Sequence, residues 1–367
     1  MKKTIFKSLL ATICLLCSTN ASAYDFEADG IYYDVVSFTD LTCKVGYNEY
    51  GNTYKGDVVI PETVTYSGKT LSVVAIGNGA FAWCDELKSV TIPNTVTSID
   101  ESAFNGCSLL KNIEIPNSVT KIDNNAFAST GLTSIEIPNS VTNIGNSAFS
   151  DCKSLTSVTI PNSVTQIDGW AFAYCNHLTS IKIPNSVTEL GAFMFYYCDH
   201  LTDVTISNSI TSIQQSTFTA CSRLTNIVIP ASVTNIESDA FSECSSLSSI
   251  KITGEEVVEI GYNAFYGCNA LTTFYCFSTT TPYIADYTFT NDHYMNLNLY
   301  VPQEALEAYQ NADGWKNFWH MQGFDAAGIE NVKAKGENAV YYDLRGNRLT
   351  APKHGLNIMD GKKVMVK

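Results

Sequence analysis

Cysteine, histidine and clustered aromatic side chains are the groups through which this chain could do chemistry. There are twelve cysteines. A thiolate can attack a substrate, form a disulfide or hold a metal. Eight of them recur in one slot, as Cys84, Cys107, Cys152, Cys175, Cys198, Cys221, Cys244 and Cys268, with Thr130 in the same slot of one unit. Thiols in one column point the same way, which suits crossed disulfide geometry poorly. The expectation is a ladder of small buried thiols. Zinc would need clustered ligands such as two C-x-x-C pairs, which the chain lacks. None of the five histidines, His177, His200, His293, His320 and His354, has a Ser or Cys nucleophile partner evident in sequence. The motifs G-x-S-x-G, H-E-x-x-H, G-x-x-x-x-G-K and G-x-G-x-x-G are absent. No catalytic residue, metal or cofactor is therefore expected. The remaining chemistry is binding. Trp170, Tyr174 and His177 are matched at nearly equal offsets by Phe193, Tyr196, Tyr197 and His200. Aromatic rings present large apolar area at low entropic cost, so they are candidate anchors for a ligand. Two neighbouring imidazoles would resist double protonation and make binding change near pH 6.

The elements that position these residues are repeats. Ala-Phe recurs at Phe81, Phe104, Phe127, Phe149, Phe172, Phe241 and Phe265, with Met194-Phe195 and Thr217-Phe218 in the same slot. Successive Phe are separated by 23, 23, 22, 23, 23, 23, 23 and 24 residues. One unit, Leu155 to His177, reads LTSVTIPNSVTQIDGWAFAYCNH. Its two short alternating segments predict half-buried strands separated by a turn at Pro161-Asn162. Neither strand buries its apolar side alone, so units must stack, with each Phe over the Phe of the next coil. Trp170 and Phe193 then share one column, two residues before the repeat Phe. Tyr174 and Tyr197 share another, two residues after it.

The pattern L-x-x-I-x-I-P-x-x-V-x-x-I-x-x-x-A-F-x-x-C resembles the leucine-rich repeats of BspA-like surface proteins of Bacteroidota. The resemblance covers roughly residues 58 to 290. It implies a mainly β, right-handed leucine-rich-repeat solenoid of about nine 23-residue repeats with strands on the concave side. It also implies adhesion or ligand binding at a bacterial surface.

The ends differ from the repeats. Lys2, Lys3 and Lys7, an apolar run and Ala21-Ser22-Ala23 predict a signal peptide over 1–23. Residues 24–70 read as an N-terminal cap, 71–290 as the solenoid and 291–325 as a C-terminal cap with a short helix from Gln303 to Ala312 followed by Trp315, Phe318 and Trp319. Residues 329–367 read as a small β module. Its Gly355-to-Ile358 stretch and its close, Lys362 to Lys367, resemble C-terminal sorting modules of type IX secretion. A plain β cap is the alternative.

Charge narrows the partner. The chain carries 22 basic and 36 acidic residues, a net −14. Removing the three signal-peptide lysines takes this to −17. An acidic chain without a basic stripe binds nucleic acid and anionic membranes poorly. No run is long and apolar enough for a transmembrane span. The expected protein is exported, at the surface or outside the cell, and binds a host protein, another cell or a glycan. A structural spacer is the alternative reading. A hydrolase site hidden in an end region is a third, and no motif supports it.

Overall fold

The computed structural model describes residues 24–48 and 53–324, and four strands between 341 and 366. The segment read as a signal peptide, 1–23, lies outside the described residues. The chain is mainly β, a solenoid of about 11 turns of ~23 residues. The described residues fall into two compact units divided after Leu178.

The turns share a set of local events. In the unit ending at Leu178, Ser134–Glu136 runs parallel to Ser157–Thr159 with Ser134 opposite Ser157. The chain then reverses at the Pro-Asn pair, where the Val141 N–H donates to the Pro138 carbonyl at 3.1 Å. Pro suits this position because its ring presets φ and it offers no ladder donor. A second strand of two residues follows, so that Lys121, Asn143 and Gln166 stand side by side. The other unit repeats the scheme. Its first strands place Asn226, Ser249, Thr273, Asn298 and His320 in one row.

Hydroxyls serve the exposed edges. Thr120, Thr165 and Thr234 each donate Oγ1 to the carbonyl of the preceding Thr in the same column, at 3.2 to 3.3 Å. Thr156, Thr202 and Ser248 do the same on the other edge. A low-charge chain can thus satisfy its surface carbonyls without ions.

The core is a column of rings. In the first unit Phe81, Phe104, Phe127, Phe149 and Phe172 stack with centroids 5.1 to 5.5 Å apart and planes within 5°. In the second, Phe195, Phe218, Phe241, Phe265 and Phe289 stack with centroids 5.2 to 5.7 Å apart. Tyr54 extends the column one turn before Phe81, at 4.7 Å. Counting Tyr54 and Phe289 with the nine repeat Phe gives the eleven turns.

Three residues after eight of the nine repeat Phe stands a cysteine. All ten described cysteines are buried. The thiols have a structural partner: Sγ of Cys107, Cys152, Cys175, Cys221, Cys244 and Cys268 donates to the Phe carbonyl of the preceding turn at 3.0 to 3.3 Å. Thr130 instead donates to the Phe127 carbonyl of its own turn at 2.8 Å. Burial pushes the thiols up, Cys43 and Cys152 to about 11 and Cys268 to about 12. They are poor nucleophiles at neutral pH.

The ends close differently. At the N-terminus, Phe26–Ala28 and Ile31–Ser37 form an antiparallel hairpin that leads into Thr42–Val45. At the other end a helix, Asn291–Asn296, precedes the strand Asn298–Pro302. A 3-10 turn, Gln303–Ala305, and a helix, Leu306–Asn311, follow. Trp315 and Phe318 are buried under the last turns, while Trp319 is exposed. Beyond this cap four antiparallel strands, Tyr341–Tyr342, Arg348–Leu349, Gly355–Met359 and Lys362–Val366, form a sheet in which Gly355 pairs with Val366.

His293 ties the cap to the core. Its Nδ1 accepts from the Thr290 N–H at 3.2 Å, and its Nε2 lies 3.0 Å from the Cys268 carbonyl. A carbonyl can only accept, so the ring is neutral with its proton on Nε2. Burial holds His293 below the usual imidazole range, opposed by the Cys268 carbonyl and by Asp292. Protonating Nδ1 would set two donors against each other. Because the folded value is lowered, this group stabilises the fold fully above the unfolded imidazole value of about 6.5 and less as pH falls below it. The melting temperature is expected to drop from pH 7.5 to 5.5 more steeply in the native chain than in His293→Gln. Parallel curves would show that His293 is not the sensor.

Candidate binding surface

The loop that carries each Phe has an alternating backbone. In the loop around Phe149, the N–H groups of Ser147, Phe149 and Asp151 point to carbonyls of the next turn, those of Gly169, Ala171 and Ala173. The intervening Ala148 and Ser150 bond within their own loop. Turning alternate N–H groups across the gap places the residues two before and two after the Phe in the left-handed region. Ser147 and Asp151 have φ of 55° and 59°. Gly, Asn, Asp and Ser accept this conformation most readily.

Aromatic residues occupy these same positions. Trp170, Tyr174, Phe193 and Tyr197 have φ of 59° to 60°. Trp83 and Tyr287 do as well, at 61° and 57°. A bulky residue there costs roughly 1–2 kcal/mol relative to Gly. The loops therefore form a ridge of rings on strained backbone, with Trp83, Tyr174, Tyr197 and Tyr287 exposed and Trp170 and Phe193 half-buried.

Each unit brings part of the predicted set together. In the first, the rings of Trp170 and Tyr174 lie 6.5 Å apart at 20°, so side chains flanking one Phe meet across the ridge. Tyr174 is 38% exposed. His177 is exposed, with Nδ1 2.6 Å from the Lys153 carbonyl. In the second, Phe193 meets Tyr196 edge-on at 5.7 Å, and Tyr196 lies 4.7 Å from Tyr197, itself 46% exposed. His200 faces Asp199, with Nδ1 3.1 Å from Oδ1.

The ridge predicts a mutational outcome. Trp170→Asn and Tyr197→Asn place a residue that tolerates positive φ where a ring now stands. Thermal unfolding should change by no more than about 1 kcal/mol in either direction. A loss of several kcal/mol would mean that these rings belong to the core.

Sequence reasoning missed three further features. Trp83 is exposed and lies against Gly106 of the next turn, where a Cβ would collide with its six-membered ring. Tyr262, Tyr266 and Tyr287 are exposed on the ridge of the second unit, and Tyr262 meets Tyr287 edge-on at 5.6 Å. The outward face of the strands also carries rings. Lys251, Tyr275 and Tyr300 stand in one row. Tyr275 and Tyr300 stack at 4.6 Å, and the Lys251 ammonium sits 4.7 Å over Phe277. The row begins without rings, since Val228 stands beside Lys251.

Among the described residues, no group of three or more His, Cys, Asp or Glu could hold a metal. No described helix is long and apolar enough to cross a membrane.

Comparison with known proteins gives consistent likenesses. A family profile described as "BspA type Leucine rich repeat region" matches residues 74–202 and 188–311. A leucine-rich repeat protein from Bacteroides ovatus is similar in structure, with 27% identity, a TM-score of 0.57, and coverage of 78% of this chain and 80% of that one. A leucine-rich repeat protein of T. pallidum shares 30% identity over 55% of this chain and 90% of its own, with a TM-score of 0.47. A leucine-rich cell surface protein from Faecalibacterium prausnitzii shares 26% identity over 68% of this chain and 93% of its own, with a TM-score of 0.38. No curated protein matches the chain significantly.

Proposed function

The chain belongs to the BspA-type leucine-rich repeat family, and from that premise we propose that it is a non-catalytic binding protein of the cell surface or extracellular space. The observation that carries this reading is the family match from 74 to 311, which spans the greater part of the chain. Solenoids offer long, repetitive surfaces on which partners dock. Here the ridge aromatics add anchors that a bare scaffold would not need, at positions where the backbone favours smaller residues. Trp170, Tyr174 and His177 serve as anchors in one unit. Phe193, Tyr196, Tyr197 and His200 serve in the other. The ligand is a host protein, another cell or a glycan.

Pull-downs with the mature chain against extracellular-matrix proteins, whole bacterial cells and a glycan array test the reading. Specific capture in at least one arm, weakened by Trp170→Ser with Tyr197→Ser, supports it. Capture in none would leave the spacer reading in its place. Export follows the same logic. The resemblance of the C-terminal strands to a type IX sorting module makes deletion of 339–367 expected to trap the chain in the periplasm. Unchanged surface display of the truncated chain would reduce that module to a cap.

A further inference from the structure

Resting on the reading that the solenoid is a binding protein, we infer that the ridge of the second unit is a track for a neutral polysaccharide. The observation is the column two residues before the core Phe. In this unit it reads Phe193, Ser216, Asp239, Asn263 and Tyr287, all with φ between 53° and 60°. Rings stand at both ends and hydrogen-bonding groups between them. Each end ring is paired: Phe193 meets Tyr196 edge-on, and Tyr287 meets Tyr262 edge-on. At about 4.8 Å per turn the two anchors are roughly 20 Å apart, the reach of a short oligosaccharide.

The chemistry selects the ligand class. A pyranose has an apolar face that lies on an aromatic ring and an edge of hydroxyls that donate to carboxylates and amides. Tyr287 is 67% exposed and supplies such a ring. Asp239 and Asn263 supply the acceptors. Small, buried Ser216 lets the track dip between them. Glu243 adds a second carboxylate on the other flank, where its side chain lies across Gly267 of the next turn.

Charge and centre decide between partners. The five loops, 192–198, 215–221, 238–244, 262–268 and 286–290, contain Asp239, Glu243 and Asp286 and no Lys, Arg or His. Such a strip repels sulfated or uronic polymers. A protein partner would need a desolvated apolar centre ringed by polar groups. This strip is the reverse, with a carboxylate at its centre and rings at its ends.

The test is affinity electrophoresis of the mature chain in gels containing yeast mannan, mixed-linkage β-glucan or soluble starch, with hyaluronate and heparin as anionic controls. Retardation is expected in at least one neutral gel and in neither anionic one. Tyr287→Ala should weaken it about tenfold, equivalent to roughly 1.4 kcal/mol. Adding Phe193→Ala should remove it, with thermal unfolding of both variants close to that of the parent. Retardation by anionic polymers alone, or retardation that survives both substitutions, overturns the inference. If the chain captures matrix proteins or cells but no neutral polysaccharide, the inference fails while the binding-protein reading stands. If it captures nothing, both fail.

Discussion

Phe127→Ala is expected to destabilise the chain by about 3–5 kcal/mol, measured as a fall in the urea midpoint at constant slope. Phe127 is fully buried and touches a ring on each side, Phe104 at 5.2 Å and Phe149 at 5.4 Å. Truncation opens a cavity lined by three successive turns. No flexible side chain can collapse into it, because the neighbouring rings are themselves held in the stack and their backbones in the ladder. Phe127→Leu keeps most of the volume and should cost less than about 1.5 kcal/mol. If the alanine variant lost under 1 kcal/mol, the column would not be the core.

Trp315→Ala should cost a similar amount, about 3–5 kcal/mol, but locally. Trp315 is fully buried against Tyr309 at 5.0 Å and Phe289 at 6.1 Å. Its Nε1 donates to the Pro282 carbonyl at 2.7 Å. Losing it strips apolar cover from the last turn and leaves that carbonyl without its donor. Hydrogen exchange should then rise first in the strands Thr273–Cys276 and Asn298–Pro302. Trp315→Phe retains much of the packing and forfeits the hydrogen bond, so it should cost about 1–3 kcal/mol. Uniform exchange along the whole chain would argue that the aromatic cluster does not act as a cap.

These two sites also mark how much was legible beforehand. The Phe column and the cysteine slot announce themselves, because a fixed period forces equivalent residues into register and burial demands one apolar size. The helix Asn291–Asn296 does not, since six residues are too few for a helical period. Its N-cap pairs Thr290 with His293 where a Glu or Gln is the usual signal. The left-handed positions left a trace in the Ser, Asn, Asp and Gly that fill them. That trace reads equally as a variable loop until the alternating N–H directions are known. Tyr275 and Tyr300 escaped because repeat length drifts near the C-terminus, with 24 residues from Lys251 to Tyr275 and 25 from there to Tyr300. Tyr287 escaped because Phe289 lacks its Ala and its Cys.

A picture follows in which packing and binding occupy opposite sides of the same loop. The Phe points inward and specifies the pitch. The residues two before and two after it stand off the stack, most of them half-buried or exposed and a few, such as Ser216, buried. Rings can therefore be placed on the ridge at a backbone cost of about 1–2 kcal/mol each without disturbing the stack. Binding should be adjustable by ridge substitutions, and stability by column substitutions, with little crossover between the two.

The central claim is that the solenoid itself binds. Beads displaying the mature chain, and beads displaying a chain whose residues 74–311 are replaced by an unrelated rigid spacer of equal length, can be compared for capture of the partner found by pull-down. Capture by the native chain and its loss in the replacement is the predicted result. Equal capture by both would contradict the claim and make the repeats a stalk.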